Sequence, residues 1–202
     1  MASSTGSRHR RLPVIVVTGT SGAGKGTLEK EILARVEELE LAVSATTRER
    51  RPGEVDGREY YFISDARFAE LLAQGAFLEH VVFPWGQMSG TLWSEIDRIR
   101  GAGRSPVLDL EPGGAIRVRD AVAGAVTIFV KAPSFEELER RLRERATESG
   151  GEIEERLALA REQLRTAGEF DHVIVNDDLT RAANELLELV HRELHAAGTM
   201  RA

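Results

Sequence analysis

Lys25 stands among four glycines in the stretch GTSGAGKGT, Gly19 to Thr27, directly after the apolar run Val14 to Val17. A strand that runs through G-x-x-x-x-G-K into a helix is a phosphate-binding loop. Its glycines reach torsions closed to other residues, so successive amide N–H groups turn inward on an anion. The helix that follows adds the positive end of its dipole at the same point. Gly19, Thr20, Ser21, Gly22, Ala23, Gly24, Lys25, Gly26 and Thr27 are therefore the expected contacts of a nucleoside triphosphate, with Lys25 a compact charge for the β- and γ-phosphates. A glycine turn with a solvated lysine is the plainer alternative, and the strand–loop–helix context speaks against it. Gly26 breaks the strict pattern, in which Ser or Thr follows the lysine and helps to hold Mg2+. The hydroxyl residue is Thr27, one place later. Mg2+ is then expected to be held mainly by phosphates and water, with no direct protein ligand assigned and Thr27 and Asp109 acting through water.

A second candidate anion site lies in SATTRERRPGEVDGREYYF, Ser44 to Phe62. Arg48 and Arg51 sit three apart in a turn-rich segment followed by two tyrosines. Guanidinium forks match phosphate oxygens, and a tyrosine hydroxyl donates one more hydrogen bond. Composition alone leaves a second reading equally open, a charged loop in which Tyr60 and Tyr61 anchor a sheet.

These residues need a scaffold, and the pattern around them supplies one. Val14 to Val17 is a continuous β-branched run, as in a parallel strand covered on both faces. PVLDLE (106–111), VTIFVKA (126–132) and HVIVND (172–177) read as further strands. Helical patterns occupy TLEKEILARVEEL (27–39), GGAIRVRDAV (113–122), SFEELERRLRERA (134–146) and LTRAANELLELVHREL (179–194), and Ser134 with Glu137 has the form of a capping box. Strands alternating with helices predict a doubly wound α/β fold with a parallel sheet. The interval 45–95 differs: it is turn-rich, with a short helix DARFAELLAQG and a strand-like FLEHVVF, and reads as a small mixed α+β insertion. The charge-dense stretch 140–156 has Gly150 and Gly151 between helical patterns, as in a mobile flap.

The phosphate loop, the T-T-R-x-x-R-P-G-E-V-x-G-x-x-Y-x-F block and the later V-I-V-N-D-D together resemble guanylate kinase, in order, from about residue 13 to residue 190. The G-K-G-T variant of the loop also resembles that of adenylate kinases. The resemblance implies a P-loop core at 13–44 and 96–202, a GMP-binding insertion at 45–95 and a lid at 138–160; the small, polar, basic residues 1–12 read by composition as a disordered tail, with an anionic contact or a targeting role as the alternatives. It implies transfer of the γ-phosphoryl group of ATP to GMP, with Mg2+ as cofactor. Matched position by position, Arg48, Arg51 and Tyr60 hold the GMP phosphate, and Ser44 and Glu79 read guanine. The guanine N1–H and N2 amino group form a donor pair that a carboxylate accepts side by side, and adenine has no such pair. Asp109 matches an acidic position near the base and the magnesium waters, and Glu111 a second one. Both fall where open α/β sheets bind ligands, beyond the carboxyl ends of strands.

Arg141, Arg145 and Arg156 match flap arginines that neutralise the moving phosphoryl group, Arg145 bridging it; Arg140 and Arg143 carry no such match, and a solvated, Glu-salted helix surface is the alternative for all of them. Asn176 is open between a place near adenine and a helix cap. GQMSGT (86–91) departs from the usual pattern: Ser89 stands in place of a tyrosine phosphate ligand, while Gly90 and Thr91 still match. Gly113 replaces a glutamine and Ala146 a glycine. Two other readings stay in view: a binding module that docks a phosphopeptide in the GMP site, against which the intact loop speaks, and a kinase with a different acceptor.

The chain has 202 residues, 42% hydrophobic and 30% charged, enough for one main domain with a sizeable core. A net charge of −6 argues against broad nucleic-acid binding. No apolar run is long enough to span a bilayer, so no membrane partner is expected. The absence of cysteine excludes disulfides and thiolate metal sites, and these features together favour the cytoplasm. Whether the chain is a monomer or a homo-oligomer is undecided.

Overall fold

The computed structural model describes residues 12–83, 85–145 and 150–198. Five parallel strands form the main sheet in the order β2-β7-β1-β8-β9: β2 (Leu39–Leu41), β7 (Ser105–Asp109), β1 (Ile15–Gly19), β8 (Val126–Lys131) and β9 (His172–Val175). The run around β1 is continuously apolar because both its faces are covered. Ile15 and Val17 meet Leu28 and Ile32 of α1 (Lys25–Arg35) and Leu186 and Val190 of α7 (Leu179–Ala196). Val14 and Val16 meet Ile96 and Ile99 of α3 (Trp93–Gly101) and Ala115 and Val118 of α4 (Pro112–Ala121). Pairing of Val17 with Asp109 brings the end of β7 beside the loop that leaves β1.

A second, mixed sheet has the order β4-β3-β6-β5, built from β4 (Tyr61–Phe62), β3 (Ala45–Thr46), β6 (Met88–Leu92) and β5 (Phe77–Val82). Phe77 stacks on Phe68 of α2 (Asp65–Ala73), ring centroids 4.3 Å apart, over buried Ala45. The register of β5 shifts between Phe77 and Glu79. This irregularity turns the strand, so that Glu79, Val81 and Phe83 line a cleft while Phe77 packs under α2. With strict period two, Glu79 would share the face of Phe77.

Where the sequence pattern predicts one helix over 27–39, the chain leaves α1 at Val36 and forms β2. β6 and α3 are elements that no pattern singled out. Leu12, expected in a disordered tail, is buried and its carbonyl accepts from Arg100 Nη2 at 2.7 Å; residues 1–11 of that tail lie outside the described residues. α5 (Phe135–Arg145) and α6 (Gly150–Arg165) occupy the expected lid, packing Leu138 and Leu142 against Ile153 and Leu157. The Ser134 side chain accepts from the Glu137 amide, one half of the expected capping box. Among the described residues no helix is long and apolar enough to cross a membrane.

Glu95 ties the two sheets' regions together. It is buried, and its carboxylate accepts from the Val43 amide, Tyr61 Oη and the Arg98 guanidinium. Burial alone would raise its carboxyl; the Arg98 and Val43 hydrogen bonds outweigh this and hold it below the usual range. Glu95→Ala leaves the Val43 amide and the Tyr61 hydroxyl without this acceptor, while Arg98 keeps Glu40, and is expected to cost about 2 kcal/mol. A lower urea midpoint with an unchanged slope checks it.

Candidate active site

The loop from Gly19 to Thr27 wraps the start of α1. Gly24 caps that helix with φ of 90°, in the left-handed region, and a Cβ there would stand 2.3 Å from Asn176 Nδ2. Asn176 is buried and its Nδ2 donates to the Ala23 carbonyl at 2.8 Å. The turn after β9 thus braces the loop from behind. Asn176 is not a helix cap: Asp178 caps α7, accepting from the Arg181 amide at 2.8 Å. Arg141 Nη2 donates to the Asn176 carbonyl at 3.1 Å, and Gly22, Gly24, Thr27, Arg141 and Asn176 line one hollow beside the loop.

Lys25 Nζ donates to the Gly19 carbonyl at 3.2 Å and lies 3.9 Å from Asp109 Oδ1. Asp109 faces both the loop and a neighbouring cleft of about 330 Å³ that Lys25, Ser44, Tyr60, Glu79, Ser89 and Glu111 also line. Its carboxyl is pushed above the usual range by the surrounding protein, against the pull of Lys25. Glu111 lies at the start of α4, where its Oε2 accepts from Gln163 Nε2 at 2.6 Å.

Glu79 is 5% exposed and firmly held. Thr91 donates to its Oε1 twice, from the amide at 3.0 Å and from the hydroxyl at 2.9 Å. Oε2 lies 3.9 Å from Arg117 Nη2, beside Gly114, where a Cβ would come within 3.0 Å of it. Glycine at 114 therefore lets α4 close on the carboxylate. Burial pushes Glu79 above the usual carboxylate range, and the two Thr91 hydrogen bonds, Arg117 and His80 pull against that shift. Thr91 is fully buried and reaches the cleft through Glu79; Ser44 Oγ lies 3.5 Å from its hydroxyl. Ser89 Oγ donates to the Ala45 carbonyl at 3.1 Å.

Arg48 adjoins the cleft through Tyr60, its guanidinium 5.4 Å from that ring's centroid. Arg51 lies in the adjoining exposed loop, where its amide donates to Glu54 Oε2 at 2.7 Å. Glu54 Oε1 accepts from Arg48 Nη2 at 2.7 Å, so one carboxylate organises both arginine positions. The sequence reading gave Glu54 no role, although its place three residues after Arg51 in a Pro-Gly turn was visible. It also missed Glu29, one turn beyond Lys25 in α1, which is 5% exposed with no hydrogen-bond partner for Oε1 among the described residues. Burial and Asp109 push the Glu29 carboxyl up to about 8, against the pull of Lys25.

The backbone of Arg145 closes α5; its side chain and Ala146 lie outside the described residues. Arg156 is exposed on α6. Arg140 and Arg143 pair with the Glu137, Glu144, Glu139 and Glu154 carboxylates on the helix surface.

The guanylate kinase family model matches residues 10–193. The guanylate kinase of Rubrobacter xylanophilus is 45% identical over 187 residues, 91% of this chain and 95% of its own length. That of a Nostoc species is 47% identical over 169 residues, 84% of each chain. The crystal structure of guanylate kinase from Anaplasma phagocytophilum superposes with a TM-score of 0.70 at 28% identity, covering 90% of this chain and 86% of that one. These matches favour neither a phosphopeptide-binding module nor a different acceptor. With a phosphate loop and a guarded carboxylate on one cleft, and relatives of this likeness along almost its whole length, the chain belongs to the guanylate kinase family, the ATP:GMP phosphotransferases.

Proposed function

We propose that GMP occupies the cleft between the two sheets and ATP the loop at Gly19 to Thr27, with Lys25 where the two meet. The observation that carries this is Lys25 and Glu79 on one cleft, the first anchored at the phosphate loop and the second held for a base. Glu79 accepts the N1–H and N2 amino donors of guanine, Thr91 fixes its rotamer, and Ser44 completes the edge. Arg48, Arg51, Tyr60 and Ser89 hold the GMP phosphate; Arg48 leaves Glu54 to do so. Arg141 and Asn176 border the hollow for the donor base. Asp109 and Glu111 close the cleft floor.

A GMP phosphate oxygen attacks the γ-phosphorus as the bond to the bridging oxygen of ADP breaks, so positioning and neutralisation carry the catalysis. Lys25 neutralises the donor phosphates, Arg48 the acceptor, and Arg145 and Arg156 complete the charge balance as the lid excludes water. Asp109 and Thr27 would hold, through water, the Mg2+ that accompanies ATP, which would supply positive charge against the donor phosphates. The oxygen donors beside the loop, Asp109 and Thr27, suit a hard cation that keeps its water. A cysteine-free chain that consumes ATP fits the cytoplasm. Release of ADP measured with GMP, dGMP, AMP and UMP in turn tests the assignment. Turnover is expected with the guanine nucleotides, and AMP used as well as GMP would overturn it.

A further inference from the structure

Glu29 is a carboxylate taken out of water with one oxygen unmatched, an arrangement that is costly and that a protein rarely keeps without use. Helix geometry says where it points. The Cα–Cβ bonds of α1 tilt toward its N-terminus, so the Glu29 side chain lies over the preceding turn, which holds Lys25 and Gly26. Its charged neighbours are Asp109 and Lys25. A Cβ built on Gly26 meets nothing within 4 Å, so the side of the loop that normally carries the metal-holding hydroxyl is open space. Lys25, Gly26, Thr27, Lys30 and Asp109 line one groove, while Glu29 itself is buried.

We propose that Glu29 does the work of the hydroxyl missing at Gly26: together with Asp109 it accepts hydrogen bonds from the water shell of the divalent cation that accompanies the donor nucleotide. The inference rests on the donor reading of the loop. Lys25, Lys30 and Asp109 line the groove, and Glu29 and Asp109 disfavour each other's ionisation; a hydrated dication beside them favours the ionised forms and gives its waters acceptors. The rival is an internal ion pair, in which Lys25 alone answers Glu29 and the cation plays no part.

The test is ADP binding to the full chain by calorimetry, without GMP, with and without Mg2+, so that it does not depend on turnover. Glu29→Gln keeps the shape and removes the acid, so that no carboxylate can form beside the cation. It is expected to leave metal-free ADP affinity unchanged and to cut the tightening by Mg2+ roughly tenfold. Gly26→Ser introduces a hydroxyl into open space; in the double variant it is expected to restore most of the lost Mg2+ response. Gly26→Ser alone should make a later Glu29→Gln change nearly silent, a coupling that a purely structural role would not produce. An unaltered Mg2+ response in Glu29→Gln, an equal loss with and without metal, or no recovery in the double variant would each overturn the proposal. If the unmodified chain binds no ADP under either condition, the donor reading fails and takes this one with it.

Discussion

Lys25→Ala is expected to lower kcat by about a thousandfold, roughly 4 kcal/mol of transition-state stabilisation, while GMP binds as before. The size of the effect follows from where the charge sits. Lys25 Nζ is tethered to the Gly19 carbonyl and faces Asp109, at the junction of loop and cleft. Alanine removes a cation from the path of the phosphoryl group and leaves Asp109 without its opposing charge. Part of the loss therefore comes from repulsion between that carboxylate and the donor phosphates. Guanine binding depends on Glu79, held from behind by Thr91, and should not register the change. Single-turnover rates and a separate GMP titration on the same variant check both halves, and near-normal turnover would refute the role given to the loop.

Glu79→Gln should lower kcat/KM for GMP by about a hundredfold or more, because one buried acceptor becomes a donor facing a donor. ADP affinity should be untouched, and the preference for GMP over AMP should collapse. The same carboxylate predicts a pH dependence. Burial raises Glu79 above its usual 4.5, and only the ionised form accepts both guanine donors. Base recognition is therefore complete above the raised value and is lost as pH falls through it, earlier than for a solvent carboxylate. Guanosine, which has no phosphate to titrate, isolates this effect. Its affinity should fall on acidification in the unmodified chain and stay flat and weak in Glu79→Gln. A flat profile in both would remove Glu79 from base recognition.

Local pattern makes four of the five strands of the main sheet legible in the sequence, and the glycine loop with its lysine points to a phosphate site. Val14 to Val17 announces a doubly covered strand because every residue in it is apolar, and the glycines after it have one economical use. Three further strands, four with β1, and four helices of the core follow from patterns that depend only on neighbours in the chain. The overrun of α1 marks the limit of such reasoning. Leu28, Ile32, Val36 and Leu39 keep a helical spacing, yet Leu39–Leu41 pairs with β7, with Leu39 opposite Ser105. Residues that distant in sequence supply the hydrogen bonds that decide for a strand, and no local window contains them.

The site divides along the same line. Lys25 can be named from residue type and spacing, Arg48 as a phosphate ligand is one of two readings of its segment, and Glu79 and Asp109 come from the resemblance to guanylate kinase. Their arrangement belongs to the tertiary structure. An irregularity in β5 aims Glu79 at the cleft, Thr91 on the adjacent strand holds it, and Gly114 on a distant helix makes room. Asn176 reads in sequence as an adenine neighbour or a helix cap, and its side chain braces the loop, because β9 ends beside Ala23. Glu29 looks like one more charge on a helix surface, and packing makes it a buried acceptor. Residue chemistry travels with the chain, whereas burial, partners and facing direction arise only when segments far apart in sequence meet.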